Sequence, residues 1–298
     1  TAVTSGSGSV TFDKTAPTLS SVAIASDNTT TTLAKVDDVV TLTFTASETI
    51  QTPVVTFTSG SAAVTDTSIT YTNTSGNTWT AAYTANSSDT DGAVAYSIAF
   101  TDSVGNAGTA VTSGSGSVTF DKTAPTITSI TSTTNDGTYN TDDTVNVTVT
   151  FSEAVTLAGG NLVVTLETGT NDRTVTITSI SGSNTASGTY TVQAGDTSSD
   201  LTASGIALSA GSLSDAAGNA MSSFAIGSNL ASSSALVIDT TPATVTNVTS
   251  STSNGIYNAP DAISIQVTFS EVVQVSGTPT LTLENGSSDA TATYSSGT

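Results

Sequence analysis

The 298-residue chain contains no cysteine and no histidine. Those two absences remove disulfides, thiolate nucleophiles, imidazole bases and the usual zinc and copper ligands together. Positive charge is nearly missing as well: Lys14, Lys35, Lys122 and Arg173 stand against 24 acidic residues, for a formal net charge of −20. A surface of that sign repels nucleic acid and anionic membrane and attracts cations. No nucleic-acid partner and no direct membrane insertion are expected, and no run approaches the roughly 18 apolar residues of a membrane-spanning helix. Aromatics are sparse, with Trp79 the sole tryptophan. Asp and Glu are the only acid–base groups left for a paired-carboxylate mechanism, and no aromatic-lined cleft is suggested around them. The chain is therefore not expected to be an enzyme, and no catalytic residue is assigned.

What is present is repetition. Thr1–Thr18 and Thr109–Thr126 are the same eighteen-residue string, and both contain Phe-Asp-Lys-Thr-Ala-Pro-Thr. A looser copy, Ile238-Asp239-Thr240-Thr241-Pro242, follows. The period is that of a small domain rather than of a solenoid repeat. This divides the chain into residues 1–13, the last strand of a preceding domain; 14–121 and 122–239, two whole domains; and 240–298, an incomplete third. Within 14–121, period-two alternation such as Val40-Thr41-Leu42-Thr43-Phe44 recurs at regular spacing, with Gly, Asn, Asp and Ser at the breaks. It predicts strands at 19–25, 39–46, 53–58, 63–71, 78–85, 93–100 and 110–120. No segment has a helical period. The expected class is all-β, a linear array of tandem immunoglobulin-like sandwiches. The second unit is expected to repeat the strand order of the first with a longer insert.

Three motifs recur: Phe120-Asp121-Lys122-Thr123-Ala124-Pro125 at the joins, Val149-Thr150-Phe151-Ser152-Glu153 closing the second strand, and Asp215-Ala216-Ala217-Gly218-Asn219, which the first unit shows as Asp102-Ser103-Val104-Gly105-Asn106. On these residues the units resemble the bacterial Ig-like repeats strung in tandem in giant secreted adhesins and other large cell-surface proteins. The resemblance implies an extracellular or cell-surface location and a structural role as a stalk. It concerns the domain type, since such repeats serve adhesins, surface layers and phage fibres alike.

In an Ig-like topology the entry segment, the B–C loop and the F–G loop share one end. Asp13, Glu48, Asp102 and Asn106 fall there in the first unit, Asp121, Glu153, Asp215 and Asn219 in the second, and Asp239 and Glu271 in the third. The opposite end is acidic too, with Asp37, Asp38, Asp89 and Asp91 in the first unit and Asp142, Asp143, Asp196 and Asp200 in the second. Each junction then presses like charges together, and two unit charges about 4 Å apart repel by about 4 kcal/mol at an effective dielectric near 20. Hard divalent cations suit oxygen-only ligands, and Ca²⁺ tolerates the irregular coordination that loops provide. The resemblance points the same way, because similar repeats bind Ca²⁺ at their junctions. The bland reading stands beside it: Asp-x-x-Gly-Asn is also what a type I turn closed by a left-handed residue uses, and a strand-ending Ser-Glu is often only solvated.

The function expected is that of a stalk segment whose junctions Ca²⁺ stiffens, with neighbouring Ig-like domains as the principal partners and lateral copies as a further one. The alternatives are a subunit of a surface layer, filament or phage or virion fibre, and a carbohydrate-binding module. Asn-x-Ser/Thr sequences at Asn28, Asn73, Asn86, Asn146, Asn247 and Asn285 are what a Thr/Ser-rich chain produces by chance. Lysines placed in loops disfavour internal Lys–Asn isopeptide bonds. The Thr-x-Thr faces read as ordinary outward strand positions.

Overall fold

A computed structural model describes residues 11–297. The first unit contains nine strands: β1 (Leu19–Ser26), β2 (Leu33–Ala34), β3 (Val39–Ala46), β4 (Val54–Ser59), β5 (Ala62–Ala63), β6 (Thr70–Ser75), β7 (Thr78–Thr84), β8 (Gly92–Ala99) and β9 (Thr119–Phe120). They form two sheets, β1-β3-β7-β6 and β2-β9-β8-β4-β5. Alternation is the cause: in β3, Val40, Leu42 and Phe44 are fully buried while the threonines between them face outward. These residues meet Phe57, Tyr83, Ile98 and Phe120 from the other strands in a single core. Each inward side chain of that size contributes roughly 1.5–3 kcal/mol by leaving water.

The second unit holds β10 (Ile127–Thr131), β11 (Gly137–Tyr139), β12 (Thr144–Ala158), β13 (Leu162–Leu166), β14 (Arg173–Ile177), β15 (Ser183–Thr191), β16 (Thr197–Ser198), β17 (Ala203–Leu208), β18 (Ser212–Ser214), β19 (Ile226–Ser228) and β20 (Leu236–Asp239). A separate core unites Ile130, Val147, Phe151, Leu166, Leu213 and Leu236. In both units the first strand pairs antiparallel with the long second strand and parallel with the closing segment, through Ala23 with Ser115 and through β10 with β19. That closure between two antiparallel layers is an immunoglobulin-like sandwich, and the chain carries two in tandem. One 3₁₀ turn, Leu230–Ser232, is the only helical element among the described residues.

The remaining strands, β21 (Val245–Ser250), β22 (Ile265–Phe269), β23 (Thr280–Leu283) and β24 (Ala290–Thr293), pair as β21 with β22 and β23 with β24. Phe269 and Val267 repeat the sequence positions of Phe151 and Val149, yet they are 38% and 37% exposed where the latter are 2% and 0%. The expected strand over residues 1–10 lies outside the described residues, and 11–13 carry none.

Three expectations are corrected. The strand at 63–71 is two pieces. After β5 the chain crosses between sheets, held by Asp66, whose carboxylate accepts from Ser68 N (2.8 Å) and Thr84 N (2.9 Å), before β6 pairs with β7. The strand at 110–120 is regular only at β9. Upstream it pairs in turn with β8 at Ile98–Val111 and with β1 at Ser115, and Gly116 (φ +76°) lies against the Ile24 carbonyl, so it forms no continuous ladder with either. Finally, the second unit does not repeat the strand order of the first. Its segment after β13 stays with β13 as β14, burying Val175 and Ile177, and no strand corresponds to β6.

Candidate functional site

In the second unit the second strand does not close at Glu153 as expected: β12 runs on to Ala158, and Ser152 and Glu153 sit at a register shift between Thr150 and Val155. The entry segment, the end of β3 or this break in β12, and the F–G loop meet at one end of each complete sandwich. Carboxylate oxygens of Asp13, Glu48 and Asp102 lie within 4.8 Å of one another, and so do those of Asp121, Glu153 and Asp215. Asp239 and Glu271 are joined by no third carboxylate among the described residues.

Each group is positioned by its own local device. The entry aspartate closes an Asx turn: Thr15 N donates to Asp13 Oδ1 at 2.8 Å, Thr123 N to Asp121 at 2.9 Å and Thr241 N to Asp239 at 3.0 Å. The serine before each glutamate clips that point of the chain to the entry. Thr126 N donates to Ser152 Oγ and Ser152 N to Thr126 O, both at 2.9 Å, and Ser47 with Thr18 and Ser270 with Thr244 do the same. The serine's role was missed in the sequence, although its place in Ser-Glu was the available signal.

The F–G aspartate is the buried member of each trio. Asp102 Oδ1 accepts from the N–H groups of Val104 (3.0 Å), Gly105 (2.7 Å) and Asn106 (2.8 Å), and Asp215 Oδ1 from Gly218 (2.7 Å) and Asn219 (2.8 Å). Gly105 at φ +102° and Gly218 at φ +90° supply the left-handed step that this turn requires. The asparagine then ties the loop to the linker: Asn219 Nδ2 donates to Asp215 Oδ2 (2.8 Å) and Asp121 O (2.9 Å), and Asn106 Nδ2 to Asp102 Oδ2 (2.7 Å) and Asp13 O (3.3 Å). Their Oδ1 atoms are the ones left to face a ligand.

At the opposite end, several of the acidic groups are engaged within their own loops. Asp38 Oδ2 accepts from Lys35 N (2.8 Å) and Asn28 Nδ2 (2.7 Å), and Asp143 caps Asn140 N in the same way (2.9 Å). Asp89 is buried with Thr65 N, Thr65 Oγ1 and Asn86 N as donors. Asp196 is buried against Arg173 Nε (2.8 Å) and Tyr190 OH (2.7 Å). These carboxylates act within their own loops, because a turn of consecutive N–H groups needs an acceptor once water is excluded. Asp91 reaches the linker, accepting from Lys122 N (2.8 Å) and Thr123 Oγ1 (2.7 Å), while Asp37, Asp142 and Asp200 are exposed.

Direct contacts link the first unit to the second. Lys122 Nζ donates to Ser87 O (2.9 Å) and Asp89 O (2.6 Å), and Asn28 Nδ2 donates to Ala217 O (2.9 Å) in the loop that carries Asp215. Lys35 Nζ lies 3.7 Å from Asp38 Oδ1. Both lysines of the junction are thereby engaged away from the trio. Burial pushes the Asp121 carboxyl up from its ordinary value, and the charges of Asp215 and Asp91 push it further, against the Thr123 N–H. Burial also raises Glu153, reinforced by Asp215 and Asp121. In the other trio burial works to raise Asp102, but the hydrogen bonds from the Asn106 side chain and from three backbone N–H groups outweigh it and hold the carboxyl below its ordinary value.

No family model and no curated protein matches the chain. Among solved structures it is similar to an I-band fragment of titin, I67–I69, at 11% identity over 92% of this chain and 86% of that one, with a TM-score of 0.36. It is similar to the first two Ig domains of DIP-gamma at 12% identity over 74% and 97% (TM-score 0.32), and to a DUF4785 family protein from Legionella pneumophila at 10% over 65% and 52% (TM-score 0.28). Likenesses this distant carry no argument about what this chain does.

Proposed function

We propose that the chain is a segment of an extracellular stalk in which tandem sandwiches supply reach and a Ca²⁺ ion at each junction supplies stiffness. The observation that carries this reading is the Asp121, Glu153 and Asp215 trio: three carboxylates converge beneath the first unit while the nearest ammonium groups are committed elsewhere. The donor set fits the ion, being hard, anionic and all oxygen, with the Asn219 side-chain oxygen as a further candidate ligand. When bound, the ion would offset the burial and the mutual repulsion that raise Asp121 and Glu153.

The protein's own residues do the rest. Asp215 and Asn219 hold the F–G loop rigid, Asn219 fixes the linker at Asp121 O, and Asn28 and Lys122 fasten that assembly to the unit before it. Neutralising the trio lets the linker and both domain ends close at one angle. An affinity of about 10⁻⁴–10⁻³ M, as in extracellular modules, would leave the site filled outside a cell and empty inside it.

The test is scattering and calorimetry on the whole chain in EDTA and in millimolar Ca²⁺, beside the D121N/E153Q variant. A more extended and more stable wild type in Ca²⁺, with no response from the variant, is the expected result. Identical profiles of the wild type in both conditions would overturn the reading.

A further inference from the structure

Four aspartate or asparagine residues stand directly before a glycine: Asp91-Gly92, Asp136-Gly137, Asn254-Gly255 and Asn285-Gly286. Glycine has no Cβ to keep its nitrogen away from the side-chain carbonyl carbon of the residue before it, so these are the places where the two can close a ring. The structure divides them into two kinds. In the complete sandwiches both pairs are locked. Asp136 Oδ1 accepts from Ala235 N (2.8 Å) while Gly137 N donates to Ala235 O (3.0 Å), and Asp91 accepts from Lys122 N and Thr123 Oγ1 with Gly92 paired to Phe120 at the start of β8. In the third unit neither pair is held. Asn254-Gly255 lies between β21 and β22 and Asn285-Gly286 between β23 and β24, all four residues are exposed, and neither the glycine N–H groups nor the asparagine side chains make a hydrogen bond among the described residues.

We infer that Asn254 and Asn285 are sites of spontaneous deamidation. The nitrogen of Gly255 or Gly286 attacks Cγ of the asparagine before it. The N–Cγ bond forms, the Cγ–Nδ2 bond breaks, and ammonia leaves with the proton released by the attacking nitrogen. Water then opens the cyclic imide. Cleavage between that nitrogen and Cγ gives aspartate; cleavage between it and the main-chain carbonyl carbon gives isoaspartate, in which the backbone runs through the former side chain. No electron is transferred, and water is the only co-reactant. Every other asparagine precedes a residue whose Cβ crowds the approach. Those at the ends of the sandwiches are held as well: Asn28, Asn106 and Asn219 each donate through Nδ2 to two acceptors.

Gly255-Ile256-Tyr257-Asn258 repeats Gly137-Thr138-Tyr139-Asn140, so Asn254 is the counterpart of Asp136. Conversion to aspartate gives the third unit the residue with which the second holds Ala235 N. Conversion to isoaspartate instead lengthens the backbone just ahead of Gly255–Tyr257, the counterpart of β11. Either product adds one negative charge per event to a chain already at −20. The inference is independent of the cation at the junctions.

The test follows the whole chain through several weeks at mildly alkaline pH and body temperature. Its intact mass should rise by about one dalton per event. Peptide maps combined with enzymatic methylation of isoaspartate should place the products at 254 and 285, with aspartate and isoaspartate both present. Asn254→Gln and Asn285→Gln should each silence its own site alone, because the longer side chain must close a larger ring. Gly255→Ala should slow the reaction at 254 by about tenfold. Unfolding in urea should leave the rates at 254 and 285 within about twofold of their native values while raising isoaspartate formation at Asp136, which the fold protects. An unchanged mass, product at the equally exposed Asn171 and Asn184 at the same rate, or isoaspartate at Asp91 and Asp136 of the folded chain as fast as at 254 and 285, would overturn the inference.

Discussion

The trios Asp13, Glu48, Asp102 and Asp121, Glu153, Asp215 are built from the same residue types on the same turns, yet their protons are held differently. In the second trio Asp121 and Glu153 are both raised, whereas in the first Asp102 is lowered. The second trio lies beneath loops of the preceding unit, which exclude water and bring Asp91 near Asp121. Burial at that place raises both carboxyls, and the Asp91 charge adds to it at Asp121.

The largest expected effect removes the keystone of either turn. Asp215→Ala strips the acceptor from two backbone N–H groups and from Asn219, and should destabilise the second unit by about 2–4 kcal/mol in urea unfolding. Asp102→Ala should destabilise the first unit in the same direction. If the comparison holds, adding Ca²⁺ should widen the gap between D215A and wild type more than that between D102A and wild type.

Next comes the cation itself. At ten times its dissociation constant, Ca²⁺ should stabilise the second unit by about 1.4 kcal/mol relative to EDTA, and calorimetry should show the first unit moving less. An equal rise in both would erase the distinction drawn between them.

A smaller effect is expected from pH. Asp121 and Glu153 have folded values above their unfolded ones, so the native state binds the extra protons and stability falls as pH rises through those raised values. In EDTA, acidification from neutrality toward the ordinary carboxylate range should therefore first stabilise the second unit. Asp66 and Asp102 in the first unit are lowered, and their contribution, present above the ordinary value, is lost as pH falls through the depressed one. Ca²⁺ should abolish the acid stabilisation of the second unit, which pH-dependent melting can check.

The smallest change is Asn28→Ala. It deletes one hydrogen bond between units, one to Asp38 and the one that Thr30 N donates to its Oδ1, for a loss of about 1–2 kcal/mol, and should loosen the junction in scattering while leaving the second unit's own melting unchanged.

Much of this architecture could be read before any coordinates. Alternation such as Val40, Leu42 and Phe44 placed the strands, and an Ig-like strand order was enough to bring Asp121, Glu153 and Asp215 to one end. The acidic loops at the other end were misread in part because a carboxylate's partners there are backbone N–H groups, as at Asp89, or side chains far along the chain, as Arg173 is for Asp196, and no sequence displays either. The same limit hid the clip made by Ser152 and the two carbonyls that hold Lys122.

By itself the sequence determined the repeat, the all-β class, the two cores and the carboxylates that gather at the entry of each of the two complete sandwiches, because period-two burial and turn chemistry act over a few neighbours. Only the tertiary structure decided which sheet the fourth segment of each unit joins, β6 pairing with β7 and β14 with β13, and which acidic groups remain uncompensated. Both depend on where distant backbone donors and side chains end up once the sandwich closes and the next domain packs against it. Local pattern carries no information about that.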